Sequence, residues 1–224
     1  MSRTRDELCA ALGYTFSDQS WLETALTHRS AGTPNNERLE FLGDAILSFI
    51  IADELYKRFP QASEGQLSRL RANLVKGETL AVIARSLNLG ESLNLGSGEL
   101  KTGGFRRASI LAGAMEALIG AVYRDGGMKT CRRIVIAVYK DRLEHISPSQ
   151  NLKDPKTRLQ ELLQAQKRPI PTYQVKAVEG QAHTQLFRVE CLFDGETMTM
   201  GEGSTRRKAE QDAAQKALDH LGVK

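Results

Sequence analysis

Cysteine is scarce in this sequence: Cys9, Cys131 and Cys191 are the whole supply, spaced far apart and never paired as CxxC. An odd, scattered set argues against a disulfide framework and against a cysteine-built zinc site, and it fits reduced thiols in the cytoplasm, where we expect the protein. Long apolar runs are missing as well. The least charged stretch, residues 108–123, still contains Glu116 and two glycines, too short and too interrupted to cross a bilayer. The opening MSRTRDELCAALGY has no apolar core, so neither a signal peptide nor a membrane partner is expected. There is no internal repeat and no low-complexity tract. Charge of one sign is not in great excess either. The net charge is +4, with 19 basic against 17 acidic residues up to Pro148 and 12 against 10 beyond it. Such a balance permits a nucleic-acid partner, but without a polybasic tail the affinity has to come from local patches.

What is present reads as ordinary globular protein, 41% hydrophobic and 26% charged. From residue 5 to about 144 apolar residues recur every three or four positions, as in Leu39, Leu42, Ile46, Phe49 and Ile50, and in Leu67, Leu70, Leu74 and Val75. This predicts an all-α unit. Ser17 and Ser63 are expected N-caps, Gly90 and Gly126-Gly127 expected helix stops, and the glycine-rich residues 96–104 a loop. The polar stretch HISPSQNLKDPK, residues 145–156, carries two prolines and reads as a linker. Beyond it the pattern changes: a helix over 157–166, strands over 173–178, 186–193 and 197–201, and an alanine-rich helix over 206–221. Helix, three antiparallel strands and helix make a small α+β unit.

The strongest chemical signal lies in NERLEFLGDAILSFI, residues 36–50. Glu37, Glu40 and Asp44 stand at i, i+3 and i+7, within roughly 60° of one another on a helix. Phe41 and Leu47 flank them, and Leu39, Leu42 and Ile46 fill the far side. A helix apolar almost all round is expected to be buried, and like charges are costly in a core unless a cation neutralises them. A second isolated acid, Glu116, sits mid-helix among Ile110, Leu111, Met115, Leu118 and Ile119. If the two helices pack together, Glu116 joins the cluster, and clustered carboxylates suit Mg²⁺ or Mn²⁺. Two blander readings remain open on spacing alone: a solvated acidic stripe beside Arg38, and an ion pair from Glu116 to Arg69 or Arg71.

These residues also carry a resemblance. NERLEFLGDAIL resembles the signature of the ribonuclease III endonuclease domain. ALTHRS at 25–30, SEGQLSRLRANLV at 63–75 and GSGELKTGGFRRASILA at 96–112 support it. The resemblance implies an all-α endonuclease domain over 1–146, a linker over 147–153 and a homodimer that cuts both strands of duplex RNA, as in rRNA and mRNA precursor processing. It implies Glu40, Asp44 and Glu116 as ligands of Mg²⁺ (Mn²⁺ as substitute), with Asp44 and Glu116 catalytic. Glu37 and Glu64 correspond to further acids lining the cleft. One position departs: the family pattern has aspartate three residues before that glutamate, where this chain has Gly113. Glycine brings no ligand and costs a helix up to about 1 kcal/mol against alanine. Impaired cutting is therefore expected, and a duplex-binding protein that does not cut is the alternative. A helical phosphohydrolase acting on small nucleotides explains neither the second unit nor the lack of an adjacent His-Asp pair.

Residues 154–224 resemble a double-stranded RNA-binding domain of α-β-β-β-α order. DPKTRLQELLQ is similar to its first helix, PTYQV to its first strand, GQAH to the following loop and GEGSTRRKAEQDAAQKAL to the third strand's exit and last helix. Ser204 or Thr205 can cap a helix whose first turn carries Arg206, Arg207 and Lys208, an arrangement suited to phosphate. Alone, a charged first turn is more often a solvated face. The resemblance implies that Thr157, Gln160 and Glu161 face one minor groove and Ala182 and His183 another, reading A-form shape with little sequence preference. Glu210 stands where many relatives have lysine. His28 is expected to be a structural cap and not a ligand.

Overall fold

The computed structural model describes residues 3–148, 154–180, 185–193 and 195–222, and the chain divides into two compact units, Met1–Asn151 and Leu152–Lys224. The first contains α1 (Arg3–Leu12), α2 (Gln19–Leu26), α3 (Glu37–Arg58), α4 (Glu64–Val75), α5 (Gly77–Ser86), α6 (Ser97–Lys101), α7 (Ala108–Val138) and α8 (Lys140–His145). Local chemistry sets several boundaries. Ser63 caps α4 in a reciprocal box with Gln66, as its position predicts. At α2 the cap is Asp18 and not Ser17: the Asp18 carboxylate accepts from Ser20 N, while Ser17 N donates to Asp125. The chain leaves α5 at Asn88, left-handed at φ 52°, and not at Gly90. Asparagine tolerates that conformation, and Gly90 is needed instead where the Phe105 carbonyl presses on it. Gly127, at φ 73° and ψ 176°, breaks α7 where the sequence predicts a stop, and the helix then resumes.

The core of this unit is built on the pairing of α3 with α7, against which α2 and α5 also pack. Leu39, Ile46, Leu47, Ile50 and Ile51 of α3 are buried, as are Leu111, Met115, Leu118 and Ile119 of α7. The two helices meet backbone to backbone at two glycines. A Cβ on Gly43 would lie 2.6 Å from the carbonyl carbon of Glu116 and 3.0 Å from Gly120 N, and one on Gly120 would press into the Leu39 carbonyl. Any side chain at either position would force the helices apart. Contrary to the sequence expectation, α3 is not buried all round. Phe41 is 81% exposed and Phe49 56% exposed, and Asp44 is exposed between them. The helix buries the side turned to α7, α4 and α2, and no described residue of this unit covers Phe41 or Phe49 on its outer face.

In the second unit α9 (Pro155–Ala165) and α10 (Arg206–His220) pack on an antiparallel sheet of β1 (Thr172–Glu179), β2 (Leu186–Phe193) and β3 (Glu196–Gly203), ordered β1-β2-β3. The pairings Tyr173–Cys191 and Cys191–Thr199 fix the register. Leu159 and Leu163 of α9, Cys191 of β2 and Ala213, Ala214, Ala217 and Leu218 of α10 form its core. The alanines let α10 close on β3, where a Cβ on Gly201 would strike the backbone at Ala213 and Ala209. All three cysteines are buried and unpaired. Among the described residues no helix is long and apolar enough to cross a membrane.

Candidate active site and nucleic-acid interface

The crossing of α3 and α7 opens a cleft of about 560 Å³, lined by Glu37, Glu40 and Asp44 from α3, Gly113 and Glu116 from α7, and His28, Arg29, Glu99 and Arg107 at its rim. The acids from the two helices therefore do come together. The backbone around them is held firmly. Asn36, 3% exposed, donates its N–H to Thr27 O, and its carbonyl accepts Glu40 N at 2.8 Å. His28 caps the turn that follows it, accepting Ser30 N, so its expected structural role holds. Ser30 in turn accepts Gly96 N at 2.9 Å, which ties the 25–30 and 96–112 motifs together at the rim. Arg107 pairs with Glu99 at 2.9 Å, and Arg29 with Glu37 at 3.5 Å. The rim residues were visible in the sequence only as members of those two motifs, and the two glycines of the crossing had no chemical signature there.

Like charges raise the cost of this arrangement. Burial, with Asp44 and Glu40 nearby, pushes the Glu116 carboxyl up to about 7. Glu40 is also raised, by burial and by Glu37, with His28 and Arg29 pulling the other way. No ion pair joins Glu116 to Arg69 or Arg71 among the described residues, so that blander reading lapses. The donor set, carboxylate oxygens short of positive charge, suits a hard cation. It is not a finished cage: among the described residues no three acids, histidines or cysteines converge closely enough to hold a metal ion. Gly113 offers no side-chain donor here. A Cβ there would lie 2.8 Å from Glu40 Oε2 and 2.9 Å from Glu40 Cδ. The space is not open, as a restored aspartate would need. The Glu40 carboxylate fills it, and being the end of a flexible side chain it can swing aside. Glu64 does not line the cleft within one chain. It heads α4 in solvent, and its carboxylate accepts Ser68 Oγ at 2.6 Å.

In the second unit Thr157, Gln160 and Glu161 share the exposed side of α9, opposite the buried Leu159 and Leu163. Arg206, Arg207 and Lys208 are exposed in the first turn of α10, which Thr205 caps by accepting Lys208 N. Ala182 and His183 lie outside the described residues. Glu210 accepts from Lys156 at 2.7 Å and from Arg206 at 2.9 Å.

The raised Glu116 carboxyl has a consequence for stability. Its folded pKa, about 7, lies above its unfolded value of 4.5, so the protonated acid favours the fold. That advantage is present below about pH 4.5 and is lost as pH rises to about 7. Discounted for partial exposure, the loss is about 2 kcal/mol. Glu116→Gln should therefore raise the thermal midpoint of the metal-free protein at pH 8 and leave it nearly unchanged at pH 4.5. An equal effect at both values would show that the carboxyl is not strained.

Known proteins resemble both units of the chain. Residues 18–143 match the family described as ribonuclease-III-like, and residues 155–221 match the double-stranded RNA binding motif. Curated relatives named ribonuclease 3 are 60% identical over 216 residues in Nitrosococcus oceani (95% of this chain, 93% of the relative) and 55% identical over 222 residues in Vibrio cholerae (99% of each). Among solved structures, the nuclease domain of ribonuclease III from Campylobacter jejuni aligns with a TM-score of 0.62 at 39% identity, covering 65% of this chain and all of that one. A second structure of that domain, at 41% identity and TM-score 0.60, covers 61% of this chain and 96% of its own. It is described as flexible in a region involved in dimer formation. This family is in general divalent-metal dependent. With both motifs matched in order and near-complete relatives at this identity, the chain belongs to the ribonuclease III family.

Proposed function

We propose that the chain is an endoribonuclease that hydrolyses phosphodiester bonds in double-stranded RNA, acting with a divalent cation in the cytoplasm on rRNA and mRNA precursors. One observation carries the reading: an acid-lined cleft between α3 and α7 occurs in a chain that also matches a duplex-RNA-binding motif. Residues 1–146 would cut, residues 154–224 would bind, and residues 147–153 would link them. Glu40, Asp44 and Glu116 would hold Mg²⁺, with Mn²⁺ as a substitute. When bound, the ion supplies an activated water and neutralises charge on the phosphodiester. Asp44 and Glu116 are the catalytic acids, Glu37 guards the mouth of the cleft, and Glu64, outside the cleft of its own chain, would serve as a cleft acid only in the dimer. For binding, Thr157, Gln160 and Glu161 would follow one minor groove, Ala182 and His183 a second, and Arg206, Arg207 and Lys208 the phosphates between them.

Cutting both strands needs two clefts related by symmetry, and a two-fold interface is self-complementary. The uncovered face of α3, with Phe41 at 81%, Phe49 at 56% and Tyr56 at 72% exposure, supplies an apolar surface for a homodimer. The protein should be dimeric at micromolar concentration by light scattering, and Phe41→Glu with Phe49→Glu should make it monomeric. A dimer unaffected by both changes would put the interface elsewhere.

A second reading, a duplex-binding protein that cuts slowly or not at all, is favoured by Gly113 and by the Glu40 carboxylate resting on it. Groups that only hydrogen-bond and orient a metal's ligands are each worth about 10–100-fold in affinity or activity, so a missing direct ligand should cost at least as much. Gly113→Asp, with Glu40 displaced, should raise the cleavage rate of duplex RNA about tenfold or more at matched Mg²⁺, with binding unchanged. Equal rates would mean that the absent carboxylate is dispensable.

A further inference from the structure

Two adjacent side chains of α10 reach back to the start of α9. The Gln211 amide donates to Asp154 Oδ1 at 2.8 Å and accepts Lys156 N at 3.1 Å. The Glu210 carboxylate takes Lys156 Nζ at 2.7 Å and Arg206 Nε at 2.9 Å, with its own side chain only 12% exposed. Lys156 is held from a third element too, its ammonium 4.4 Å from the centroid of the Tyr173 ring on β1. Asp154 meanwhile caps α9 through Thr157 N. One compact set of polar contacts thus joins the first turn of α9 to the first turns of α10.

A half-buried ion pair of this kind adds little net stability, because desolvation offsets the attraction; its best-attested use is to fix one geometry among several. Here the geometry it fixes is the spacing between the two surfaces assigned above to RNA. Thr157, Gln160 and Glu161 lie on one side of the brace, and Arg206, Arg207 and Lys208 on the other. A-form duplexes are recognised by shape, through contacts spanning a minor groove and the neighbouring phosphates, so the separation of two rigid contact surfaces is itself a recognition element. We infer that Glu210 and Gln211 are positioning residues that set the α9–α10 spacing to A-form RNA and thereby select it over B-form DNA. This rests on the duplex-binding role proposed above.

Charge alone and the brace predict opposite signs. Glu210→Ala removes a negative charge beside a phosphate-facing turn, which electrostatics alone would reward with tighter binding. The brace requires the reverse. The test is fluorescence anisotropy with the full chain in EDTA, using RNA and DNA duplexes of equal length and sequence. Glu210→Ala and the charge-neutral Gln211→Ala should each weaken RNA-duplex binding about tenfold, the scale of lost hydrogen bonds to charged groups. Each should also shrink the RNA-to-DNA affinity ratio, and Gln211→Ala should leave the salt slope of parental binding intact. Glu210→Gln, which keeps the acceptor, should recover part of the loss, and it stands in if Glu210→Ala misfolds by circular dichroism. Tighter or unchanged RNA binding, or an unchanged RNA-to-DNA ratio, overturns the brace. A parent chain that does not prefer RNA duplex overturns the binding role itself, and the brace with it.

Discussion

The backbone contact of α3 with α7 is the constraint on which the site depends. Gly43 and Gly120 let the two helices approach until the main chain of one lies against the main chain of the other, with no room for a Cβ at either position. That approach puts Glu40 and Asp44 of one helix opposite Gly113 and Glu116 of the next. Wider packing, with ordinary side chains at the crossing, would leave the acids apart and hydrated. Close packing is favourable for the apolar residues on both sides of the crossing, whereas for the carboxylates it brings desolvation and mutual repulsion, and Glu116 registers the strain.

Acids pressed together by apolar packing gain most from a bound positive charge. Gly113 has no side chain, the Glu40 carboxylate fills the space a Cβ there would take, and among the described residues no three donors converge closely enough to hold a metal ion. The glycines of the crossing and Gly113 lie on the same helix contact.

Much of this was legible in the sequence. Glu37, Glu40 and Asp44 announced a shared face by spacing, and Glu116 stood out as an acid in an apolar helix. The strands and helices of the second unit followed from a period of two giving way to 3.6, and Thr157, Gln160 and Glu161, singled out only by the resemblance, fall on one exposed face. What escaped were features that exist only between elements. Gly43 and Gly120 look like ordinary helix glycines until another helix is laid on them. Phe41 and Phe49 made α3 read as buried, because an apolar face left for another surface has the same composition as a core face. Glu64 falls in a supporting motif but heads α4 in solvent, where proximity in a sequence pattern does not become proximity in one chain. Glu210, notable only as an acid among bases, became intelligible once Lys156 was seen beside it.

The most direct test of the central constraint uses Trp21, the sole tryptophan, which reports on the helical unit alone. Its fluorescence should be followed through urea unfolding for Gly43→Ala and, as control, Gly98→Ala, where an added Cβ meets nothing within 4 Å. Overpacking typically costs about 1–3 kcal/mol and more where backbone is struck, so Gly43→Ala should lose about 3 kcal/mol or more. Gly98→Ala should change stability by less than about 1 kcal/mol. If Gly43→Ala unfolds at the parent's urea concentration, the helices do not cross backbone to backbone, and this account of how the acids are brought together is wrong.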